Sequence, residues 1–119
     1  MREKELVPYE TTALRGERML VVAPHPDDET IGCGGLLALH VAEGRDCRVI
    51  VVTDGSAHAG ASPAGRREEE VRRALTILGS AEVEFLGIPD RQAEESAAEI
   101  ASMLAEQIQT FRPDLLLLP

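Results

Sequence analysis

The sequence predicts an α/β fold, a Rossmann-like three-layer sandwich with a mainly parallel sheet, and two observations lead to that class. Short apolar runs alternate along the chain with longer segments in which apolar residues recur at helical spacing. Several of the short runs are apolar at every position, which is typical of strands covered on both faces of a sheet. This alternation requires parallel strands joined by right-handed crossovers, with helices on both faces.

The first half of the chain contains two strands separated by a helix. The apolar run over 19–23 predicts the first strand, and Pro24 ends it. Apolar residues at helical spacing then predict a helix that ends near Gly44. The β-branched run over 47–53 predicts the second strand, which Asp54 terminates.

The second half continues the alternation. Over 63–78 apolar residues fall at i, i+4 and i+7 between charged ones, which predicts a surface helix. The third strand is predicted over 83–86, and a further helix follows over 97–111 until Pro113 stops it. The run over 115–118 predicts a fourth strand, after which the sheet is expected to be truncated. In a 3-2-1-4 strand order this strand is an unprotected edge, so we expect self-association or poor solubility.

Composition and charge restrict the class of protein. The chain has 119 residues and 44% hydrophobic content, enough for one domain, predicted over 18–119 with a lead-in segment over 1–17. The 21 acidic and 12 basic residues give a formal charge of -9, which disfavours nucleic acids and anionic membranes as partners. No apolar stretch approaches the ~18 residues of a membrane span, so we expect a cytoplasmic location. Cys33 and Cys47 are expected to be buried free thiols.

The segment 24–29, with the sequence PHPDDE, carries the candidate chemistry. It follows the first strand and so lies at the edge of the sheet where α/β proteins bind ligands. His25 and Asp28 provide an imidazole and a carboxylate three residues apart, a pair that suits zinc or another divalent cation. Asp27 would reach a water bound to that cation, the position of a general base. Alternatively, Asp27 and Asp28 cap the following helix; the repulsion among them and Glu29 favours a bound cation.

These residues resemble the signature of the PIG-L/LmbE-like zinc-dependent N-deacetylases. The similarity is carried by segment 23–35, by 51–55 at the end of the second strand and by 85–90 at the end of the third. It covers about residues 19–119, a modest domain. The helix between the second and third strands also follows the family pattern, at Arg67, Glu70, Ala74, Leu78 and Gly79.

The resemblance implies a hydrolase that removes an N-acetyl group from an N-acetylglucosamine-type substrate with Zn²⁺ as cofactor. Its implied metal ligands are His25 and Asp28, and its implied base is Asp27. The family takes a third ligand from a histidine in a loop after the fourth strand, which falls beyond Pro119. The implied partner is a small N-acetylated amino sugar or its conjugate, with a homo-oligomer as a further possibility.

Several other residues are candidates with two interpretations each. Arg67 either reaches the substrate or is a solvated charge, and Asp54 and Asp90 either bind sugar hydroxyls or are turn residues at strand ends. His58 lies in a loop on the ligand-binding edge, where a single histidine is usually solvated. Cys33 is expected to pack rather than bind metal, and His40 is expected to be a packed or surface histidine of the helix.

Two other functions remain open. The chain would be a catalytically silent Rossmann-like module if it bound a sugar or nucleotide phosphate at the helix start after a turn formed by Gly32 to Gly35. The clustered carboxylates oppose such an anionic ligand. It would be an interaction fragment if its exposed fourth strand paired with a second chain.

Overall fold

A computed structural model describes residues 5, 10, 12–56, 64–79 and 81–119, so most of the predicted lead-in segment 1–17 lies outside the described residues. Within these ranges one sheet contains β1 (Arg18–Ala23), β2 (Asp46–Thr53), β3 (Glu82–Ile88) and β4 (Leu115–Leu117). The helices are α1 (Asp28–Ala42), α2 (Ala64–Leu78) and α3 (Ala97–Phe111). Each predicted element is confirmed with small shifts of its ends; a 3-10 turn over Asp90–Gln92 was not predicted.

The sheet has the order β3-β2-β1-β4 with all described pairs parallel, which confirms the predicted order. Val21 in β1 lies opposite Val49 of β2 and Leu117 of β4. In the described sheet β4 pairs with β1 alone and is therefore an edge strand. Exposure of Leu116 and Leu118 leaves apolar side chains on that edge.

The side chains of β1 alternate between two hydrophobic cores. Met19 and Val21 belong to a core that also contains residues of α1 and α2, whereas Leu20 and Val22 pack with Phe111 of α3. Helices thus cover both faces of the sheet, and the predicted three-layer arrangement is confirmed. Full burial on both faces also explains why β1 is apolar at each central position.

Two polar contacts hold the chain at the start of β1. The N–H of Gly16 donates to Nε2 of His40 at 3.2 Å. The carboxylate of Asp114 accepts the N–H groups of Glu17 at 3.0 Å and Arg18 at 2.9 Å. These backbone bonds, that of Arg18 first, lower the pKa of Asp114 below its usual range. The start of β1 is therefore anchored at the end of the strand opposite to segment 24–29.

The strand order places segment 24–29 at a distinctive position. From β1 the chain first builds the sheet in one direction through β2 and β3, and then returns to add β4 on the other side of β1. The carboxyl end of β1 is therefore the point where strand order reverses, the usual ligand site of open α/β sheets.

The structure also tests the predictions for the two cysteines and for the glycines that follow segment 24–29. Cys33 and Cys47 are buried free thiols, as expected. Gly32, Gly34 and Gly35 lie inside α1 and form no turn at its start, so the predicted phosphate-binding turn is wrong. In the described ranges, no helix has the length and apolar character needed to cross a bilayer.

Candidate metal centre

The loop after β1 is attached to the end of β2 through one carbonyl. Both the N–H and the Oγ1 hydroxyl of Thr53 donate to the Pro24 carbonyl, at 2.9 Å and 2.8 Å. Thr53 is buried, so these bonds are shielded from water. The backbone that leads into His25 is therefore tied to the neighbouring strand.

His25 and Asp28 are brought together at the mouth of this loop. Nδ1 of His25 lies 3.4 Å from Oδ2 of Asp28, and the His25 N–H donates to the same oxygen at 3.0 Å. The two side chains are 49% and 34% exposed, so a cation from solvent can reach both. Two ligand atoms at about 2.05 Å from a tetrahedral ion are separated by roughly 3.3–3.4 Å. The observed separation therefore fits two ligands of one zinc ion.

A third protein ligand is not found in the part of the chain that the structure describes. No group of three or more His, Cys, Asp or Glu side chains there is arranged to hold a metal ion. Cys33 packs in the core, and both ring nitrogens of His40 are engaged, Nδ1 with the Leu36 carbonyl at 2.9 Å and Nε2 with Gly16. His58 lies outside the described residues.

Asp27 adopts an uncommon backbone conformation at the start of α1. Its φ of 90° and ψ of -21° place it in the left-handed region. Its carbonyl accepts the N–H groups of Thr30 and Ile31 at 3.0 Å and 2.9 Å, but its side chain makes no capping hydrogen bond. The capping interpretation of Asp27 is thus wrong. Because Asp27 is also exposed, its carboxylate is accessible for proton transfer.

Glu29 differs from its two acidic neighbours because it is completely buried. Its Oε2 accepts the N–H of Asp27 at 3.0 Å, and its Oε1 accepts the Thr30 hydroxyl at 3.4 Å. Burial raises the pKa of the Glu29 carboxyl above its usual range, and the Asp27 charge acts in the same direction. The acidic run therefore contains an exposed residue, Asp27, a half-buried one, Asp28, and one that lies inside the protein, Glu29.

A cavity of about 220 Å³ lies between the start of α1 and helix α2. This volume is below the roughly 300–1,000 Å³ of pockets that enclose a drug-sized ligand. Its lining contains both apolar and charged side chains, among them Pro26, Asp27, Glu29, Ile31, Arg67 and Glu70.

Arg67 lies beside this cavity and is not a fully solvated charge. Its side chain is 24% exposed, and Nη1 is 3.6 Å from Oε2 of Glu70. Its Nε is buried and has no hydrogen-bond partner among the described residues. Gly55 has φ 72°, and a Cβ added there would lie 3.3 Å from that Nε and 3.4 Å from Pro26. A glycine at this position lets the Asp54-Gly55 turn approach Arg67 closely.

Asp54 and Asp90 lie on the same edge of the sheet and take part in turns. Oδ1 of Asp54 accepts the Ser56 N–H at 3.0 Å, and Oδ1 of Asp90 accepts the Gly55 N–H at 3.0 Å. Both carboxylates therefore stabilise turns. The role of Thr53 was not predicted from the sequence. Its position at the end of a buried strand was a usable signal, because a buried hydroxyl requires a hydrogen-bond partner.

Comparison with known proteins identifies similar sequences and structures. The family model PIG-L, described as GlcNAc-PI de-N-acetylase, matches residues 20–119. The diacetylchitobiose deacetylase of Thermococcus kodakarensis is 31% identical over 109 residues, which cover 87% of this chain and 40% of that protein. The 1D-myo-inositol 2-acetamido-2-deoxy-alpha-D-glucopyranoside deacetylase of Rhodococcus erythropolis is 41% identical over 83 residues, which cover 59% of this chain and 28% of that protein.

The solved structures include one with the same fold over nearly the whole chain. The N,N'-diacetylchitobiose deacetylase of Pyrococcus horikoshii superposes with a TM-score of 0.78 and 22% identity, covering 95% of this chain and 45% of that one. At this identity the likeness shows the fold. The chain thus spans less than half the length of each of these three proteins.

Proposed function

Because the chain belongs to the PIG-L family, we propose that it forms the metal-binding part of a zinc-dependent N-deacetylase. The substrate class is an N-acetylated amino sugar of the N-acetylglucosamine type, as in the names of the two relatives. The observation that supports this function best is the distance of 3.4 Å between His25 Nδ1 and Asp28 Oδ2. Asp27 lies beside this pair, and its side chain makes no capping hydrogen bond to the helix.

His25 and Asp28 would hold the zinc ion. Their donor types, one imidazole nitrogen and one carboxylate oxygen, suit zinc, and their separation fits two positions of a tetrahedral ion. When bound, zinc would acidify a water molecule and polarise the acetamide carbonyl. The bond between the His25 N–H and Asp28 Oδ2 limits the movement of that carboxylate before an ion arrives.

Asp27 would act as the general base and then as the general acid. Its carboxylate takes a proton from the attacking water while the new C–O bond forms. It returns that proton to the nitrogen as the C–N bond breaks, so that acetate and a free amino sugar leave. Exposure of Asp27 at the cavity is consistent with this role because the group must exchange protons with substrate and solvent.

Substrate contacts would come from the residues around the cavity. Arg67 would donate to a hydroxyl or a substituent of the sugar, since its guanidinium lies at the cavity wall. Asp54 and Asp90 lie on the same edge, where their carboxylates take part in turns. We infer that both residues also accept hydrogen bonds from sugar hydroxyls. A bare phosphate is a poor ligand here because the solvent-accessible carboxylates of Asp27 and Asp28 lie at the same edge and would repel it.

Metal binding can be tested on this chain without any turnover. Elemental analysis and calorimetric titration with zinc should give one ion per chain, and His25→Ala or Asp28→Ala should weaken binding at least 10-fold. Asp46→Ala is a matched control, because Asp46 lies at the opposite end of the sheet. Absence of zinc from both this chain and the full-length gene product would contradict the proposal.

The role of Asp27 requires a turnover assay on the full-length gene product. Asp27→Asn should keep its zinc. It should release acetate from diacetylchitobiose or a related amide about 10²- to 10⁴-fold more slowly, because that factor is the usual contribution of a general base. Asparagine adopts the left-handed region about as readily as aspartate, so the backbone at residue 27 should persist. Undiminished acetate release would remove Asp27 from this role.

A further inference from the structure

We propose that Glu29 is a positioning residue, whose buried carboxylate holds the backbone of Asp27 in the left-handed region and thereby sets the direction of the Asp27 side chain. This rests on the proposed function because Asp27 is taken there as the base. Glu29 lies at the wall of the cavity, but its side chain is 0% exposed and both of its oxygens bond within the protein. It would therefore act through Asp27 and not by binding the substrate or the metal.

The conformation of Asp27 needs support from its surroundings. A residue with a side chain rarely adopts φ 90°, because its Cβ then crowds the following carbonyl. In this structure both polar backbone groups of Asp27 are engaged within the start of α1. Its carbonyl accepts the N–H of Ile31 at 2.9 Å, and its N–H donates to Oε2 of Glu29 at 3.0 Å. Glu29 thus supplies the bond on the amino-terminal side of the strained residue.

The burial of Glu29 indicates that its carboxylate has a specific partner. A carboxylate is costly to bury unless it is hydrogen-bonded, whereas a helix-start carboxylate that acts through its charge alone can remain in water. Glu29 is 0% exposed, in contrast to Asp28 in the preceding position. Its two oxygens are used separately, one by the Asp27 N–H and one by the Thr30 hydroxyl. The carboxylate therefore connects the backbone of the proposed base to the rigid first turn of α1.

The direction of the Asp27 side chain follows from its backbone. If the bond from Glu29 is lost, residue 27 can relax toward the ordinary right-handed or extended regions, and its Cβ then points elsewhere. Displacement of a reacting group by about 1 Å can lower the rate 10²-fold. Loss of the Glu29 acceptor should therefore reduce kcat and leave substrate and metal binding nearly unchanged.

Two substitutions separate hydrogen bonding from packing in the full-length gene product. Glu29→Met keeps a side chain of similar size and removes the acceptor, whereas Glu29→Gln keeps an acceptor oxygen for the Asp27 N–H. We expect Glu29→Met to lower kcat by about 10- to 100-fold, with KM and zinc content unchanged. Glu29→Gln should recover most of that loss. Equal kcat values for the two variants would overturn the proposal.

A double variant tests whether Glu29 acts through Asp27. When Asp27→Asn is already present, the side chain whose direction matters no longer functions as a base. Adding Glu29→Met should then cause almost no further loss of kcat, since residues that act as a unit are strongly non-additive. Losses that multiply would mean that Glu29 acts separately, and would overturn the proposal.

A structural readout keeps this inference independent of turnover. Crystal structures of the parent and of Glu29→Met should show residue 27 with positive φ in the parent and outside that region in the variant. If the variant does not fold, hydrogen exchange of the Asp27 amide in the parent decides: slow exchange supports the bond, and exchange as fast as in a solvated loop overturns it. An inactive parent with a protected Asp27 amide would refute the proposed function and retain the role of Glu29 in the backbone.

Discussion

His40 offers a test of how the amino-terminal end of β1 is anchored. It is completely buried in α1, and its Nε2 accepts the N–H of Gly16 at 3.2 Å while Nδ1 bonds to the Leu36 carbonyl at 2.9 Å. Since Nε2 accepts a hydrogen bond it carries no proton, so Nδ1 is the donor of a neutral ring. His40→Leu removes both bonds and keeps an apolar side chain of comparable size.

The expected loss follows from what each partner retains in His40→Leu. The Leu36 carbonyl lies inside α1 and keeps the backbone N–H that donates to it in the helix. Loss of its bond to the His40 ring should therefore lower the free energy of unfolding only slightly. Gly16 is buried, and its N–H would be left without an acceptor, which costs about 1–3 kcal/mol. For a domain of this size that corresponds to a fall in Tm of roughly 4–15 °C. His40→Gln can place an amide oxygen near the Nε2 position, so it should lose less than half as much.

The loss of stability is measured by equilibrium unfolding in urea, monitored by circular dichroism at one fixed protein concentration. The midpoint should fall in the order parent, His40→Gln, His40→Leu, with the m-value unchanged because the same surface is exposed. A His40→Leu variant as stable as the parent would refute the reasoning. Equal losses in the two variants would show that packing of the ring, and not its acceptor, stabilises this contact.

Two further predictions concern the strand ends. Because backbone N–H groups lower the pKa of Asp114 below its ordinary 3.8, its stabilising contribution is complete above that value and is lost as the pH falls through the lower folded pKa. Asp114→Asn should therefore reduce stability at neutral pH and flatten its acid dependence; unfolding midpoints between about pH 2 and 7 that parallel the parent would contradict this. Leu116→Lys should lower self-association in sedimentation velocity by placing a charge on the β4 edge, whereas Leu14→Lys, also at an exposed leucine, should not.

The order of elements was predictable because it depends on periodicities that each segment carries by itself. The run 19–23 is apolar at successive positions, and only a strand with helices on both faces buries all of them. The amphipathic pattern of α2 likewise reports its single buried stripe, through Val71 and Leu75. The parallel direction of the strands followed from their alternation with helices, and the 3-2-1-4 order was the one typical of the Rossmann-like class. Neither needs knowledge of side-chain contacts.

Contacts between distant segments were not predictable in this way. The hydrogen bond between Gly16 and His40 joins residues 24 positions apart, and neither residue type indicates which partner it will contact. The left-handed backbone of Asp27 was also missed, since aspartate adopts that region only where neighbours stabilise it. The glycines at 32, 34 and 35 suggested a turn, but tertiary packing places them in α1.

The charge balance of segment 24–29 is clearer from the structure than from the sequence. Three adjacent acidic residues suggested a repulsion that a cation must offset. Glu29 lies instead in the interior, where two hydrogen bonds stabilise its carboxylate and its raised pKa reflects burial. The carboxylates of Asp27 and Asp28 remain accessible to solvent beside His25. A divalent cation held by His25 and Asp28 would offset the repulsion between those two carboxylates, while Glu29 holds the backbone of Asp27 through its hydrogen bond.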